Sequence, residues 1–365
     1  MVKDPSIPNS LPACYAMVVP GLEKIAAEEI TRDLKAEVKK TAPGLVVFRA
    51  QEIDRDLLAL RTVEDVFLLG WGTDQLTYRA EDLDRIRRWT ARDVDWEKLL
   101  RLHHAVRPKP SGKPSYRVVA QMHGKHGYRR VDALNAMAQG LEGKWPRSWR
   151  PAEENAAVEV WLTIHGATAF CGIRLSDQTM RHRDYKREHI AASLRPTVAA
   201  AMVHLAQIKP GQVVLDPMCG AGTILAELLE HRRARYGEVV VWGGDLDPAA
   251  LRAAATNLRR LRYSGLVRWD ALRLPLPDQS VNRILSNPPF GKQLSSPDAI
   301  GGLYRRALQE FDRVLRPNCL AVLIVSDFTS LQEAVQSAGW KCDRKIRIRV
   351  LGQSAFISVL KKMGS

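Results

Sequence analysis

The sequence predicts an α/β protein, with an open sheet of alternating strands and helices in its second half and smaller α+β modules before it. Three observations carry that expectation. The apolar run Gln212-Val213-Val214-Leu215 reads as a buried strand, Asp216 to Thr223 as a tight glycine turn, and Ile224 to Leu229 as the helix that follows. Strand-like segments recur at 239–247, 266–271, 282–286 and 319–326, with helical patterns at 249–261 and 303–315. Asn287-Pro288-Pro289-Phe290-Gly291 then ends the strand at 282–286 rigidly, because neither proline nitrogen carries a donor for a sheet ladder.

A strand, a glycine turn and a helix N-terminus make a ligand site. The glycines let backbone approach the ligand, and the first helical N–H groups face it. A P-loop needs Lys-Ser/Thr after its glycines, and none follows Gly222; a dinucleotide fingerprint needs a small residue where Leu225 stands. Asp216 at the strand end suits a ligand with cationic groups, and S-adenosylmethionine has an ammonium and a sulfonium. Taken alone, the glycine pair also reads as an ordinary strand-to-helix turn. Asn287 presents an amide oxygen and Phe290 a flat face at the carboxyl edge of the sheet, where ligands bind in open α/β folds. The pair suits a nucleobase amino group and its ring.

Asp-Pro-x-x-Gly-x-Gly-Thr from Asp216, with Asn-Pro-Pro-aromatic from Asn287, resembles the amino-methylating S-adenosylmethionine-dependent methyltransferases. The resemblance implies a Rossmann-fold class I domain with a mixed seven-stranded sheet, closed by antiparallel strands at 341–350 and 354–360. It implies a catalytic group of Asn287, Pro288, Pro289 and Phe290. It also implies a cofactor site of Ser193, Thr197, Asp216, Pro217, Cys219, Gly220, Ala221, Gly222, Thr223, Asp245, Leu246, Asp270 and Ala271. Asp245 is placed to accept from ribose hydroxyls and Asp270 from an adenine amino group, while Asp247-Pro248 also reads as a helix cap.

Composition bounds the partners. The 365 residues are enough for two or three domains, and 45% hydrophobic with 26% charged residues is ordinary for a soluble globular chain. The net charge of +15 favours a polyanion. Cys14, Cys171, Cys219, Cys319 and Cys342 form no Cys-x-x-Cys pair and no zinc spacing with histidine. Reduced, mostly buried thiols in a cytoplasmic protein are therefore expected, and separately no bound metal and a monomer. No signal peptide or membrane-spanning run is evident.

The first dozen residues, with Pro5, Pro8 and Pro12, read as a flexible arm. Strands follow at 15–19, 44–49 and 66–70, with helices from Pro20 toward Leu34 and over 54–60, suggesting a ferredoxin-like module. Helical periodicity covers 80–102. A basic loop at 107–114, a strand at 115–120, a helix at 131–140 and a hairpin of 157–164 with 168–173 complete the first half. This order resembles the THUMP domain, an RNA-binding module. Basic residues crowd 101–150, and the linker at 177–189 is also basic. Lys109, Lys113, Lys125, Arg129, Arg130, Arg181, Arg183, Lys186 and Lys292 are the expected RNA contacts. Ser193 is expected to cap the helix that holds Pro196 in its first turn.

Apart from its first dozen residues, the chain resembles the THUMP-containing tRNA guanine-N2-methyltransferases, in particular the type that modifies acceptor-stem guanosine 6. The resemblance implies a ferredoxin-like domain at 13–60, THUMP at 61–175, a basic linker at 176–192 and a methyltransferase domain at 193–365. It implies tRNA as partner, with guanosine 10 of tRNA or ribosomal RNA as nearby alternatives. A DNA adenine N6-methyltransferase and an inactive RNA-binding protein are more distant ones.

Overall fold

The computed structural model of the protein describes residues 12–112, 114–146, 148–191, 193–231, 237–289, 297–350 and 352–363. All but the end of the expected N-terminal arm lies outside these residues. The chain divides into two compact units. One runs to Met17 and resumes from Ala27 to Met180; the other takes Val18–Ala26 and continues from Arg181.

In the first unit, β1 (Ala13–Met17), β2 (Glu37–Ala42), β3 (Leu45–Arg49), β4 (Asp65–Thr73), β5 (Ser115–His123), β6 (Arg150–Pro151), β7 (Val158–His165) and β8 (Thr168–Arg174) form one sheet, ordered β2-β3-β1-β4-β8-β7-β5-β6. The helices along this stretch of chain are α1 (Glu23–Leu34), α2 (Glu81–Arg92), α3 (Trp96–Val106), α4 (Arg130–Leu141) and α5 (Gln178–His182). The strands expected here are all present. β2 was not expected: its Lys39 and Lys40 are exposed, so its sequence shows no buried face, and it forms by pairing with the apolar β3. The single helix expected over 80–102 is two, because the Asp95 side chain caps α3, accepting from Lys98 N at 2.9 Å. Asp65 is fully buried and accepts from Arg174 at 2.6 Å and from Ser176 at 2.8 Å. A lone carboxylate would be costly there, and these donors offset its desolvation.

The second unit is a sheet of β9 (Val213–Asp216), β10 (Val240–Asp245), β11 (Leu266–Arg268), β12 (Val281–Ser286), β13 (Leu315–Val325), β14 (Lys341–Val350) and β15 (Gln353–Lys361), ordered β11-β10-β9-β12-β13-β15-β14. β9 to β13 pair in parallel, and β15 runs antiparallel between β13 and β14. Its helices are α6 (Pro196–Leu205), α7 (Thr223–His231), α8 (Pro248–Leu258), α9 (Pro297–Val314) and α10 (Phe328–Ser337). Strand residues alternate between two cores. Val214, Val241, Leu285 and Val322 pack with α6, α7 and α8; Leu215, Ile284, Ala321 and Leu323 pack with α9 and α10. Burial on both faces explains why these strands read as continuous apolar runs. The order reverses between β9 and β12, the switch point where open α/β sheets bind ligands.

Three local expectations change. Ser193 does not cap α6: the cap is Arg195 in extended conformation, without a side-chain bond, and Pro196 fixes the first turn. α9 starts at Pro297 and not near 303. α10 was not expected, although Asp327 caps it by accepting from Ser330 N at 3.1 Å. Among the described residues no helix is long and apolar enough to cross a membrane.

The site-bearing end of β10 depends on Gly244. A Cβ there would be driven into the Val267 carbonyl oxygen and the Trp269 indole. Gly244→Ala is expected to cost about 1–3 kcal/mol of stability. Thermal unfolding measures this, and an unchanged midpoint would show that β10 and β11 give way without cost.

Candidate active site

β9 delivers Asp216 to the carboxyl edge of the sheet, and the chain turns sharply before α7. Gly220 (φ +53°) and Gly222 (φ +75°) occupy the left-handed region that side chains disfavour. The turn is fastened to the end of the neighbouring strand. Cys219 N donates to the Gly244 carbonyl and Gly220 N to Asp245 Oδ2, both at 2.9 Å. Trp269 Nε1 donates to the Pro217 carbonyl at 3.0 Å.

These residues line a cleft of about 580 Å³, within the usual range for small-molecule sites. Asp216, Asp245, Asp247 and Asp270 are among its lining. Asp216 is 2% exposed. Its Oδ1 accepts from Met218 N at 3.3 Å, and the Ser286 hydroxyl also favours its charged form. Burial pushes its carboxyl well above the usual carboxylate range, and the nearby Asp245 charge adds to this. Asp245 Oδ1 accepts from Asp247 N at 3.0 Å, which fixes its rotamer. Asp247 caps α8 through Ala249 N at 2.8 Å, as its sequence position suggests. Asp270 is exposed and accepts from Leu272 N at 2.9 Å.

Of the expected cofactor residues, Ser193, Asp216, Pro217, Cys219, Gly220, Ala221, Thr223, Asp245, Leu246, Asp270 and Ala271 line this cleft. Thr197 and Gly222 do not. Thr197 is fully buried, and a Cβ on Gly222 would lie 3.2 Å from Ala254 and Leu258, so Gly222 serves the approach of α8. Asn287 and Pro289 line the cleft, while Pro288 is buried beside them. Phe290 lies outside the described residues. Cys219 is buried against two carboxylates, which holds it as a thiol rather than a nucleophile.

The donor set fits a cationic, hydroxyl-bearing cofactor. A buried acid with no cationic side chain among the cleft's described lining residues calls for a positively charged donor, and Gly220 leaves room that a Cβ would narrow to 3.3 Å from Ile190.

Ile190, Ala191 and Leu194 also line the cleft, and the sequence reading missed them along with Met218, Ala250 and Leu272. Ile190, Ala191 and Leu194 belong to a strap, 183–191 with 193–194, held from behind. Asn257 of α8 is 1% exposed. Its Oδ1 accepts from Arg187 N and Glu188 N, each at 2.8 Å. Its Nδ2 donates to the Glu188 carbonyl at 3.0 Å and the Ala221 carbonyl at 2.9 Å. One amide thus joins the strap to the glycine turn. A polar residue among the alanines of α8 is the signal that could have found it. Lys186 donates to the Leu194 carbonyl, and burial lowers its pKa to about 8, against the pull of Glu227.

The expected RNA contacts are placed unevenly. Lys109, Lys125, Arg129 and Arg130 are exposed on the first unit, with Arg129 paired to Asp132 at 3.1 Å. Arg181 is half-buried. Arg183 corrects its expectation: it is 5% exposed and paired to Glu227 at 3.2 Å, so it braces the strap and is not offered to RNA. Lys186 is half-buried in the same brace. Lys113 and Lys292 lie outside the described residues.

Asn257→Ala strands four backbone groups, each costing about 1–3 kcal/mol if left buried and unpaired. Cofactor affinity, measured by calorimetry, is expected to fall at least about tenfold, alongside a lower thermal midpoint. Asn257→Asp keeps both acceptor contacts but sets a carboxylate against the Ala221 carbonyl. It is expected to fold more nearly normally yet still bind cofactor poorly; normal cofactor affinity in it would remove the clamp from the site.

Comparison with known proteins adds likenesses in sequence and fold. Residues 183–354 match the family UPF0020, described as RMKL-like, methyltransferase domain. The chain is 36% identical over 182 residues to the mouse U6 snRNA (guanine-N(2))-methyltransferase THUMPD2, covering 49% of this chain and 32% of the relative. It is 32% identical over 203 residues to a Thermus thermophilus tRNA (guanine(6)-N2)-methyltransferase, covering 54% of this chain and 58% of that protein. These matches thus span about a third to three fifths of the relatives' length. The crystal structure of TrmN from Thermus thermophilus superposes with a TM-score of 0.77 at 26% identity, covering 96% of this chain and 99% of that one. By its sheet order and its cleft, and over residues 183–354 by sequence, the chain is similar to the THUMP-containing RNA guanine-N2-methyltransferases.

Proposed function

We propose that the protein is an S-adenosylmethionine-dependent RNA methyltransferase that forms N2-methylguanosine, with tRNA as substrate and acceptor-stem guanosine 6 as the position. The observation that carries the reading is the convergence of Asp216, Asp245, Asp270 and Asn287 on one cleft at the switch point of the sheet. The likeness to the Thermus thermophilus enzyme, named for guanine 6 of tRNA, supports the substrate, and the net charge of +15 supports a polyanion. The likeness to the mouse protein, named for U6 snRNA, favours a second reading, in which the guanine belongs to a small nuclear RNA. Five free thiols suit a reducing, cytoplasmic setting.

In this reading Asp216 holds the cofactor's ammonium, Asp245 its ribose hydroxyls and Asp270 its adenine amino group. The bound cofactor supplies a methyl group on a sulfonium centre. The chain's own work falls on the substrate amine. Its lone pair is delocalised into the base and attacks poorly. The Asn287 side-chain oxygen and the Pro288 carbonyl accept its N–H groups and draw the nitrogen toward tetrahedral geometry. Asn287 orients and does not act as a base. The two prolines fix the backbone of that acceptor pair, so positioning supplies most of the rate. The target base must leave its stack to reach the cleft.

Mass spectrometry of nucleosides from tRNA incubated with the protein and labelled cofactor tests the assignment. Labelled N2-methylguanosine is the expected product, and a labelled adenine or cytosine product would overturn it. In the same assay Asn287→Ala should lose about 10²–10³ in single-turnover rate. Cofactor and tRNA binding should stay near normal, and retained turnover would remove Asn287 from the chemistry.

Asp216 predicts a pH dependence. Its raised pKa means that the free protein holds a proton there at pH values where an unfolded carboxyl would not. That contribution to stability is present at low pH and is lost as pH rises through the raised value. A cationic ligand needs the carboxylate. Cofactor affinity should therefore weaken as pH falls through the raised pKa, with a proton released on binding. Asp216→Asn should flatten that profile and bind about 10–100-fold more weakly, the loss of one charged hydrogen bond. Calorimetry across pH measures both, and a flat wild-type profile would contradict the role.

A further inference from the structure

Behind the strap lies a second, smaller cavity of about 220 Å³, lined by Tyr185, Arg187, Thr256, Asn257, Arg259 and Arg260. It is below the roughly 300–1,000 Å³ of clefts that take whole small molecules, and it suits a single group. Three arginines line it, from two places in the chain. Arg187 comes from the strap; Arg259 and Arg260 come from the turn that ends α8. All three are exposed. Among the described residues Arg187 and Arg259 form no side-chain ion pair, and Arg260 reaches only Asp184, at 3.5 Å with both side chains more than half exposed. Such a pair contributes little, so it leaves the positive charge largely unopposed.

We propose that this arginine pocket binds a backbone phosphate of the RNA substrate; the proposal rests on the RNA-methyltransferase reading above. Planar guanidinium forks match phosphate oxygens in pairs, which an ordinary solvated face of lysines would not do. The pocket is also built rather than merely charged. The Arg187 backbone N–H is fixed on Asn257 Oδ1 at 2.8 Å, and the Asn257 Nδ2 holds the Ala221 carbonyl at 2.9 Å. The same buried amide therefore lines the arginine pocket and anchors the turn that lines the cofactor cleft. A phosphate seated on the arginines is held in fixed register with the methyl-transfer site. Contacts of that kind position the nucleic acid and carry no sequence information.

The test uses the full chain and an unmodified tRNA transcript. The variant Arg187→Ala/Arg259→Ala/Arg260→Ala is titrated with the transcript over a salt series. Each lost phosphate contact removes about 0.7–0.9 from the slope of log affinity against log salt, so losing this one phosphate should lower the slope by about one. Methylation should show a raised KM for RNA, with the single-turnover rate at saturating RNA kept and cofactor affinity unchanged. The single variant Arg259→Glu guards against a misfolded triple variant and should also weaken RNA binding while leaving cofactor binding intact. A wild-type protein that binds the transcript steeply with salt, beside variants of equal slope and affinity, would overturn the pocket and leave the RNA reading standing. A wild-type protein that does not bind RNA at any salt would overturn that reading itself.

Discussion

The site depends on how one turn is satisfied. Between β9 and α7 the backbone takes two left-handed glycine conformations, and its N–H groups cannot all find partners within their own element. The end of β10 supplies them: the Gly244 carbonyl takes Cys219 N, and Asp245 takes Gly220 N. The acidic strand end thus has two duties. One oxygen of Asp245 sets the turn, another accepts from Asp247 N, and the carboxylate still faces the cleft with lone pairs to spare. Gly244 must lack a side chain for β10 to lie against β11. A change at this strand end therefore reaches the cofactor cleft through the backbone of the turn.

The buried polar groups of the second unit follow one logic. Asp216 is kept in a place where ionisation is costly, with the Met218 N–H and the Ser286 hydroxyl offsetting only part of that cost. Burial of an unpaired acid is a poor stabilising device and a good receptor for a cation. Glu227 is also buried, but it is matched by Arg183 and by the Tyr185 hydroxyl at 2.7 Å. That carboxylate holds the strap and is not available for chemistry. Asn257 completes the brace with four hydrogen bonds to backbone. The cofactor wall is thus rigid on the protein side and open on the ligand side, as a site that works by positioning requires.

Much of the fold was legible along the chain. The glycine turn, the acidic strand ends and Asn287-Pro288-Pro289 are local signals, each tied to a backbone conformation or a missing donor, and Gly220, the strand-end aspartates, Asn287 and Pro289 all line one cleft. The apolar strands β9, β12 and β13 could be read because both their faces are covered, by α6 to α8 on one side and α9 and α10 on the other. β2 could not, since its exposed lysines give no period and its existence rests on β3. Nor could the break between α2 and α3, where a single aspartate cap outweighs an otherwise continuous helical pattern.

The sequence by itself determined the residue chemistry of the site: which carboxylates end strands, which glycines permit the turn, and which amide precedes the prolines. Those are properties of a few consecutive residues. Tertiary structure decided which cations stay at the surface and which wall closes the cleft. Arg183 and Arg187 stand four apart in one basic run, yet one is buried against Glu227 and the other faces a cavity with Arg259 and Arg260. That difference is set by α7 and α8, distant in sequence, because burial of a charge is determined by what packs against it.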